Sequence, residues 1–374
     1  MSSNSRHLVL LAFTLGTVAC RWETDLPSDA TAIAVNPQRE LLIVDDDVLS
    51  GDLARNATSG PLSFRDVVRA LGLADDAPLA WLDAWSARLK DEHDEARART
   101  FDSLVTCHWL RATPENGCDA SCSTCSSRHL SMAAAPFRLT AVVNRTDLSV
   151  MPDRAADGGE GRLVFALTEG AADDPSSVTQ PFAVIFEYAQ AGTAREWTER
   201  WHALGTATDF PTDLTSLTER FVGSGALAQV RTADALTGPM VFHQFHIESG
   251  ALVPVNVRNT PDWPKVSPDA LRSYATANAA SIADGTFVLP ASWLASYSSP
   301  SILAPAWSTD LPQHDALIRQ TCAGCHAQSE SGFHIDPRAA RGQQATSRFL
   351  VDPTKGQDEL RRRVEWMQLT LTQP

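Results

Sequence analysis

The residues best able to do chemistry lie near the C-terminus, in Thr321-Cys322-Ala323-Gly324-Cys325-His326. Cys-x-x-Cys-His is the attachment signature of c-type haem. Two thiols three positions apart reach the two vinyl groups on one haem edge, and the adjacent imidazole then falls under the iron as a ligand. With 7 Cys and 10 His in 374 residues, chance yields this pentapeptide about 0.004 times per chain. The rival readings are a structural or redox-active disulfide between Cys322 and Cys325, or another metal. A thioredoxin-like dithiol follows a strand in a βαβ setting, which the pattern before Cys322 lacks, and it leaves His326 without a role.

The second iron ligand is open in the sequence. His334, in Gly332-Phe333-His334-Ile335-Asp336-Pro337-Arg338, lies eight residues beyond His326. That length of chain spans roughly 26 Å when extended, enough to turn round a haem edge. Met367, on an apolar helical stripe, reads better as core filling. His243 and His246 are three apart in a strand pattern, so they point to opposite faces and make no joint site. A vacant position completes the alternatives.

Residues 311–374 resemble a short mono-haem cytochrome c module. In that family a helix leads into the motif, and 313–321 has this character. The family closes with a second helix, and over 357–371 Leu360, Val364, Met367 and Leu371 form one stripe opposite Arg361, Arg362 and Arg363. The resemblance implies haem c bound to Cys322 and Cys325, iron held by His326 with His334 as the candidate partner, and electron transfer with a redox protein or a small donor or acceptor. The segment is short for an independent cytochrome and no Met-bearing loop precedes its last helix. The rest of the chain is therefore expected to supply part of the haem pocket. Stretches 137–147, 197–204 and 229–262 also resemble, loosely, uncharacterised envelope lipoproteins of Gram-negative bacteria with the same tail, which imply no activity.

Cys107, Cys118, Cys122 and Cys125 form a separate group in a segment rich in Ser, Asn, Asp and Gly. Cys118-x-x-x-Cys122-x-x-Cys125 has the spacing of a radical-SAM iron-sulfur motif, but it precedes the strand-rich region and Cys107 adds a fourth member. Four cysteines in an exported chain most simply form two disulfides, with three pairings open. Zinc, held by Cys107, Cys118, Cys122 and Cys125 or with His108 or His129 in place of one, is the alternative, and an iron-sulfur cluster a weaker one.

Export is read from the N-terminus. Arg6 and His7 precede an apolar run over 8–19, long enough for a signal-peptide core and too short to span a bilayer. The run ends in Thr17-Val18-Ala19-Cys20, which resembles the lipobox of bacterial lipoproteins and implies lipidation of Cys20. An ordinary cleaved signal and a buried helix are the alternatives. Haem c is attached outside the cytoplasmic membrane, so this reading and the motif agree on a periplasmic or outer-membrane, lipid-anchored protein.

These sites need a scaffold. Apolar residues make up 43% and charged residues 20% of the chain, as in ordinary globular proteins. The net charge of -14 repels phosphate backbones and excludes nucleic acid as partner. Helical spacing runs through 63–99, with Ser63 as cap, and recurs at 193–204 and 267–283. Strand patterns occupy 137–144, 162–167, 182–188, 240–247 and 252–257, with a short apolar run at 40–44. Trp81, Trp85, Trp197 and Trp201 read as core. The expected fold is α+β: a β-rich, sandwich- or barrel-like main domain over 63–310 with flanking helices, a tether over 21–62 after a signal segment 1–20, and a small helical haem module over 311–374. Two other functions remain open: a haem peroxidase or gas sensor with an open axial site, and a surface binding or assembly module in which haem is accessory.

Overall fold

The computed structural model describes residues 33–45, 47–49, 60–92, 94–151, 158–169, 172, 177–222, 226–299, 311–326, 332–337, 346–351 and 359–373. The signal segment and Cys20 lie outside the described residues. Among the described residues no helix is long and apolar enough to cross a membrane.

Seven strands form one antiparallel sheet paired strictly in chain order. They are β1 (Leu42–Ile43), β2 (Phe137–Arg145), β3 (Glu160–Glu169), β4 (Val178–Ala189), β5 (Leu227–Asp234), β6 (Val241–Glu248) and β7 (Ala251–Val255). The expected sandwich or barrel is corrected by this topology. Among the described residues there is one open sheet, and its two faces are covered by helices and by the C-terminal residues instead of by a second sheet. Alternation along a strand reports that both faces are covered, not what covers them.

The described helices are α1 (Pro37–Glu40), α2 (Phe64–Ala70), α3 (Ala77–Asp91), α4 (Glu95–Phe101), α5 (His108–Arg111), α6 (Ala194–Ala203), α7 (Phe210–Val222), α8 (Pro268–Ala277), α9 (Ala279–Ala283), α10 (His314–Arg319), α11 (Cys322–His326), α12 (Arg348–Val351) and α13 (Glu359–Thr372). The one or two helices expected over 63–99 are three: α2, α3 and the start of α4. Ser63 caps α2 by accepting from Asp66 N at 3.2 Å. The stretch expected over 267–283 is likewise two helices, opened by Ser267 as cap and Pro268 in the first turn.

The first face of the sheet carries the large residues. Phe165, Phe182 and Phe186 pack on Phe64, Trp81, Trp85 and Phe101 from α2, α3 and α4, with ring centroids 5.4 to 6.1 Å apart for the Phe64–Phe165, Trp81–Phe186, Trp85–Phe182 and Phe101–Phe182 pairs. Trp197 and Trp201 of α6 lie on Phe221 of α7 in the same core. The second face is lined by small residues, Ala141, Val143, Val164, Ala183 and Ala233, with Phe242, and is covered by Phe333, Phe349 and Leu350. A third cluster joins Leu271, Ala275 and Ile282 of α8 and α9 to Leu317 of α10.

Residues 33–374 are one compact unit, which takes in both the part of the expected tether from residue 33 on and the tail from residue 311. Residues 37–43 supply α1 and the edge strand β1, whose pairing places Leu42 opposite Val143. The tail closes the second face of the sheet, and α13 sends Met367 into the main core. Arg363 is a correction: it was expected with Arg361 and Arg362 on the solvent side of the last helix. Its side chain is only 8% exposed, against 61% for Arg361, and it pairs with Glu359. Strand β5 and helix α7 were not read from the sequence.

Candidate functional site

The CxxCH residues form a short helix of their own at the end of α10. Buried Thr321 sets it up: its hydroxyl accepts from Gly324 N at 3.0 Å and donates to Ile318 O at 2.8 Å. Gly324 is required by this junction, since a Cβ there would overlap the Ile318 carbonyl. Helix α10 is in turn held by α8 and α9, with Gln320 Nε2 donating to Ile282 O at 3.0 Å. The motif is thus presented from a fixed helical corner onto the second face of the sheet.

Both thiols are free. Cys322 Sγ donates to Arg258 O at 3.4 Å, and Cys325 Sγ lies 3.3 Å from His334 Nε2. Burial pushes the Cys325 thiol up to about 12. A redox-active dithiol needs a depressed thiol pKa, so this environment argues against that rival reading.

His326 and His334 belong to one stack of four rings. Phe242 of β6 lies 4.2 Å from His326, His326 lies 4.0 Å from His334 with planes 26° apart, and His334 lies 4.9 Å from Phe349 of α12. Burial lowers His326 to about 4, so the imidazole is neutral at pH 7. Its Nδ1 is 2.7 Å from Gly332 O, and a carbonyl only accepts, so the proton sits on Nδ1 and the lone pair on Nε2. A neutral imidazole fixed by a backbone carbonyl at one nitrogen and bare at the other is what a metal ligand requires. His334 is also lowered, by burial first and then by the neighbouring His326. The structure brings His334 to His326 face to face, with His334 Nε2 turned to Cys325 Sγ.

A row of charges continues across the sheet from the ring stack. On β3, β4 and β5, Arg162 Nη2 lies 2.8 Å from Glu160, Arg162 Nη1 lies 3.2 Å from Glu187, and Arg231 Nη1 lies 3.6 Å from the same Glu187 oxygen. Gln229 also donates to Glu187. Arg258 Nη1 approaches Glu160 at 3.8 Å. At the other end Arg145 holds Asp147 through two 2.9 Å bonds, beside the Arg363 and Glu359 pair of α13. Burying charge costs several kcal/mol per ion unless it is paired, and most of this row is paired. These residues were not singled out in the sequence, although Arg162, Glu187 and Arg231 interrupt otherwise apolar or small strand positions.

The remaining candidates fall elsewhere. Met367 is 0% exposed, and its Sδ lies 3.9 Å from Asn144 Nδ2 within the core. His243 faces the first side of the sheet, where its Nε2 meets Glu92 Oε2 at 2.8 Å, and His246 is exposed. His243 thus lies on the face opposite to His326, whereas His246 shares the face of Phe242 and stands four residues along β6 from it. In the second cysteine group Cys107 is bonded to Cys122 and Cys118 to Cys125. The sulfurs of Cys118, Cys122 and Cys125 lie within 4.8 Å of one another because of these bonds, which leaves no thiolates for zinc or an iron-sulfur cluster. Cys118 and Cys122 pack against the core on the first face, away from Cys322 and Cys325.

No family model matches the chain, and no curated protein or solved structure was found similar to it. The resemblance of 311–374 to a cytochrome c module therefore stands on the motif and its surroundings alone.

Proposed function

We propose that the protein carries one haem c, bound through Cys322 and Cys325 with His326 as iron ligand, and transfers electrons at the cell envelope. The observation that carries this reading is His326: a half-buried, neutral imidazole whose Nδ1 is committed to Gly332 O, leaving Nε2 for a metal, directly after two free thiols at haem-attachment spacing. When bound, haem supplies a one-electron iron couple whose potential follows its axial ligands and burial. This chain's residues do the rest. Thr321 and Gly324 fix the motif helix, Phe242 backs the His326 ring, and the small side chains of β2, β3, β4 and β5 leave an apolar floor beneath it.

The stacked pose of His334 favours a second reading of the iron's sixth position. His334 would join His326 in holding the iron only if the 332–337 segment moved from the place it has here, beside Cys325. Without it the site would be open to peroxide or a small gas. The spin state of the ferric protein separates the two, low-spin for a ligated His334 and high-spin for an open site. Redox partner, lipid anchor at Cys20 and envelope location belong to the same proposal.

The test is a pyridine haemochrome spectrum of the full chain made with periplasmic haem-attachment machinery, beside a Cys322→Ala, Cys325→Ala double variant. A c-type spectrum in the wild type that is lost in the variant is expected. A colourless wild type refutes the haem reading and leaves an α+β protein with two disulfides and a free CxxC pair.

A further inference from the structure

We propose that the two disulfides joining Cys107, Cys118, Cys122 and Cys125 form one thiol–disulfide exchange site, which accepts electrons from an external dithiol at Cys118–Cys125 and passes the opening on to buried Cys107. These cysteines lie against the first-face core, away from Cys325, and their chemistry does not depend on haem.

The four sulfurs meet from two sides. Cys107 ends the helical turns Asp102–Cys107 that run into α5, and it is 8% exposed. Cys118, Cys122 and Cys125 stand on a stretch without helix or strand over 117–131, half-buried among exposed Ala120, Ser121, Ser123, Thr124 and Ser126. A reagent from solvent therefore meets the loop sulfurs first and Cys107 last. The bonds are Cys107–Cys122 and Cys118–Cys125, and the sulfurs of Cys118, Cys122 and Cys125 all lie within 4.8 Å of one another. Each bond is thus within a side-chain rotation of the other. Exchange requires a thiolate to reach a disulfide sulfur, and Cys122 Sγ is the sulfur that both loop partners can reach.

Hydrogen bonds hold the loop in this arrangement independently of the sulfurs, so opening one bond does not disperse them. At the base, Asn116 Nδ2 donates to Leu110 O at 2.9 Å and to His129 O at 2.7 Å, while Asn116 Oδ1 accepts from His129 N at 2.8 Å. At the tip, Asp119 accepts from Ser123 N at 2.9 Å and from Ser123 Oγ at 2.7 Å. The external dithiol reduces Cys118–Cys125 and leaves as its own disulfide, its two protons passing to Cys118 and Cys125. The thiolate of either then attacks Cys122 Sγ. A bond from Cys122 to the attacker forms, the Cys107–Cys122 bond breaks, and Cys107 leaves as thiolate and takes up the proton the attacker gave. One disulfide and two thiols remain, with two electrons gained, and one thiol has moved from the exposed loop to the helix beneath it.

The test is disulfide mapping of the full chain. Wild type receives one equivalent of dithiothreitol at about pH 8, where a useful fraction of thiol is thiolate, and is then quenched in acid, alkylated and digested. Molecules are expected in which Cys107 is alkylated while Cys122 is bonded to Cys118 or Cys125. A thiol tethered on the same loop acts at an effective concentration of about 1 mM or more. With dithiothreitol at about 0.1 mM, Cys107 should therefore be released at least about tenfold faster in wild type than in a Cys118→Ser, Cys125→Ser double variant, which has no internal attacker. Each single variant leaves one loop thiol without a partner and needs no reductant: Cys118→Ser should gain a Cys122–Cys125 bond, and Cys125→Ser a Cys118–Cys122 bond, with Cys107 alkylated in both. The proposal is overturned if limited reduction of wild type alkylates only Cys118 with Cys125, or only Cys107 with Cys122. Equal release of Cys107 in wild type and double variant also overturns it, as does retention of Cys107–Cys122 as the sole bond in both single variants. If the variants fail to accumulate, the wild-type map alone decides, by the presence or absence of alkylated Cys107 beside a Cys122 bonded within the loop.

Discussion

Met367 separates two roles that a methionine near a haem motif can play, and the structure assigns it to the core. Its side chain is 0% exposed and lies among the residues packed on the first face of the sheet. Met367→Ala deletes three heavy atoms. At about 0.8 kcal/mol per buried methylene the transfer loss is about 2 kcal/mol, and the cavity left behind raises the cost to about 3–4 kcal/mol. Asn144 Nδ2 donates one N–H to Glu40 O at 2.9 Å and the other, weakly, to the thioether at 3.9 Å, so the truncation also removes a weak acceptor, a small addition within that range. For a chain of this size about 2 °C is lost per kcal/mol, giving a fall in Tm of about 6–8 °C. Met367→Leu keeps the volume and is expected to cost less than about 1.5 kcal/mol. Calorimetry or thermal circular dichroism measures both, and the haem spectrum of each variant is recorded alongside. The reasoning is refuted if both variants melt with the wild type while both change the ferric spectrum, because that pattern belongs to an iron ligand.

The disulfides and one acid make two further predictions. Breaking the Cys107–Cys122 and Cys118–Cys125 bonds, which close separations of 15 and 7 residues, is expected to cost about 3 and 2.5 kcal/mol on the loop-entropy account. A reductant should therefore lower Tm by several degrees, and peptide mapping should recover those two pairings; any other pairing contradicts the structure. Burial acts to raise the Asp147 carboxyl, but the Arg145 guanidinium, with Arg363 behind it, overrides burial and holds it at about 2. A depressed folded-state pKa gives stability that is present above the unfolded value of 3.8 and is lost as pH falls through 2, here about 2 kcal/mol. Asp147→Asn should accordingly be less stable than wild type at pH 6, with the gap narrowing by about that amount on acidification; urea unfolding at several pH values checks it, and a gap constant with pH counts against the ion pair.

The chemistry of the site was more legible than the scaffold that holds it. Cys322, Cys325 and His326 carry their spacing on the surface of the sequence, because the proposed haem attachment would use residues adjacent in the chain. The charged row on the second face was not legible, because Glu160, Glu187 and Arg231 meet only through strand pairing. That row also hid β5: Gln229 and Arg231 alternate with Val230 and Thr232, and a strand polar on its covered face lacks the period-2 apolar signal. Helix α7 was missed for a different reason. Leu214, Leu217 and Phe221 do keep helical spacing, and the signal was present but interrupted by polar residues and a proline in the first turn. Strands β2, β3, β4 and β6 were found nearly to their ends, since their buried apolar runs come from both faces being covered. What covered them was beyond a local pattern, and so an open sheet was expected as a sandwich.

Pairing in strict chain order has a consequence for the order of events in synthesis. From β2 to β7 each strand meets the one just before it, so the contacts are local and the ladder needs nothing beyond residue 255. Strand β1 is the exception, since it returns to β2 across a long helical excursion. Residues 311–373, which carry the two thiols, emerge after the sheet and dock on it later. Until they do, the sheet face that will hold them presents Arg162, Glu187 and Arg231 to water. The same charges that are costly once covered make the waiting surface wettable, so the nascent chain shows neighbouring chains a hydrated ledge where an all-apolar floor would invite association.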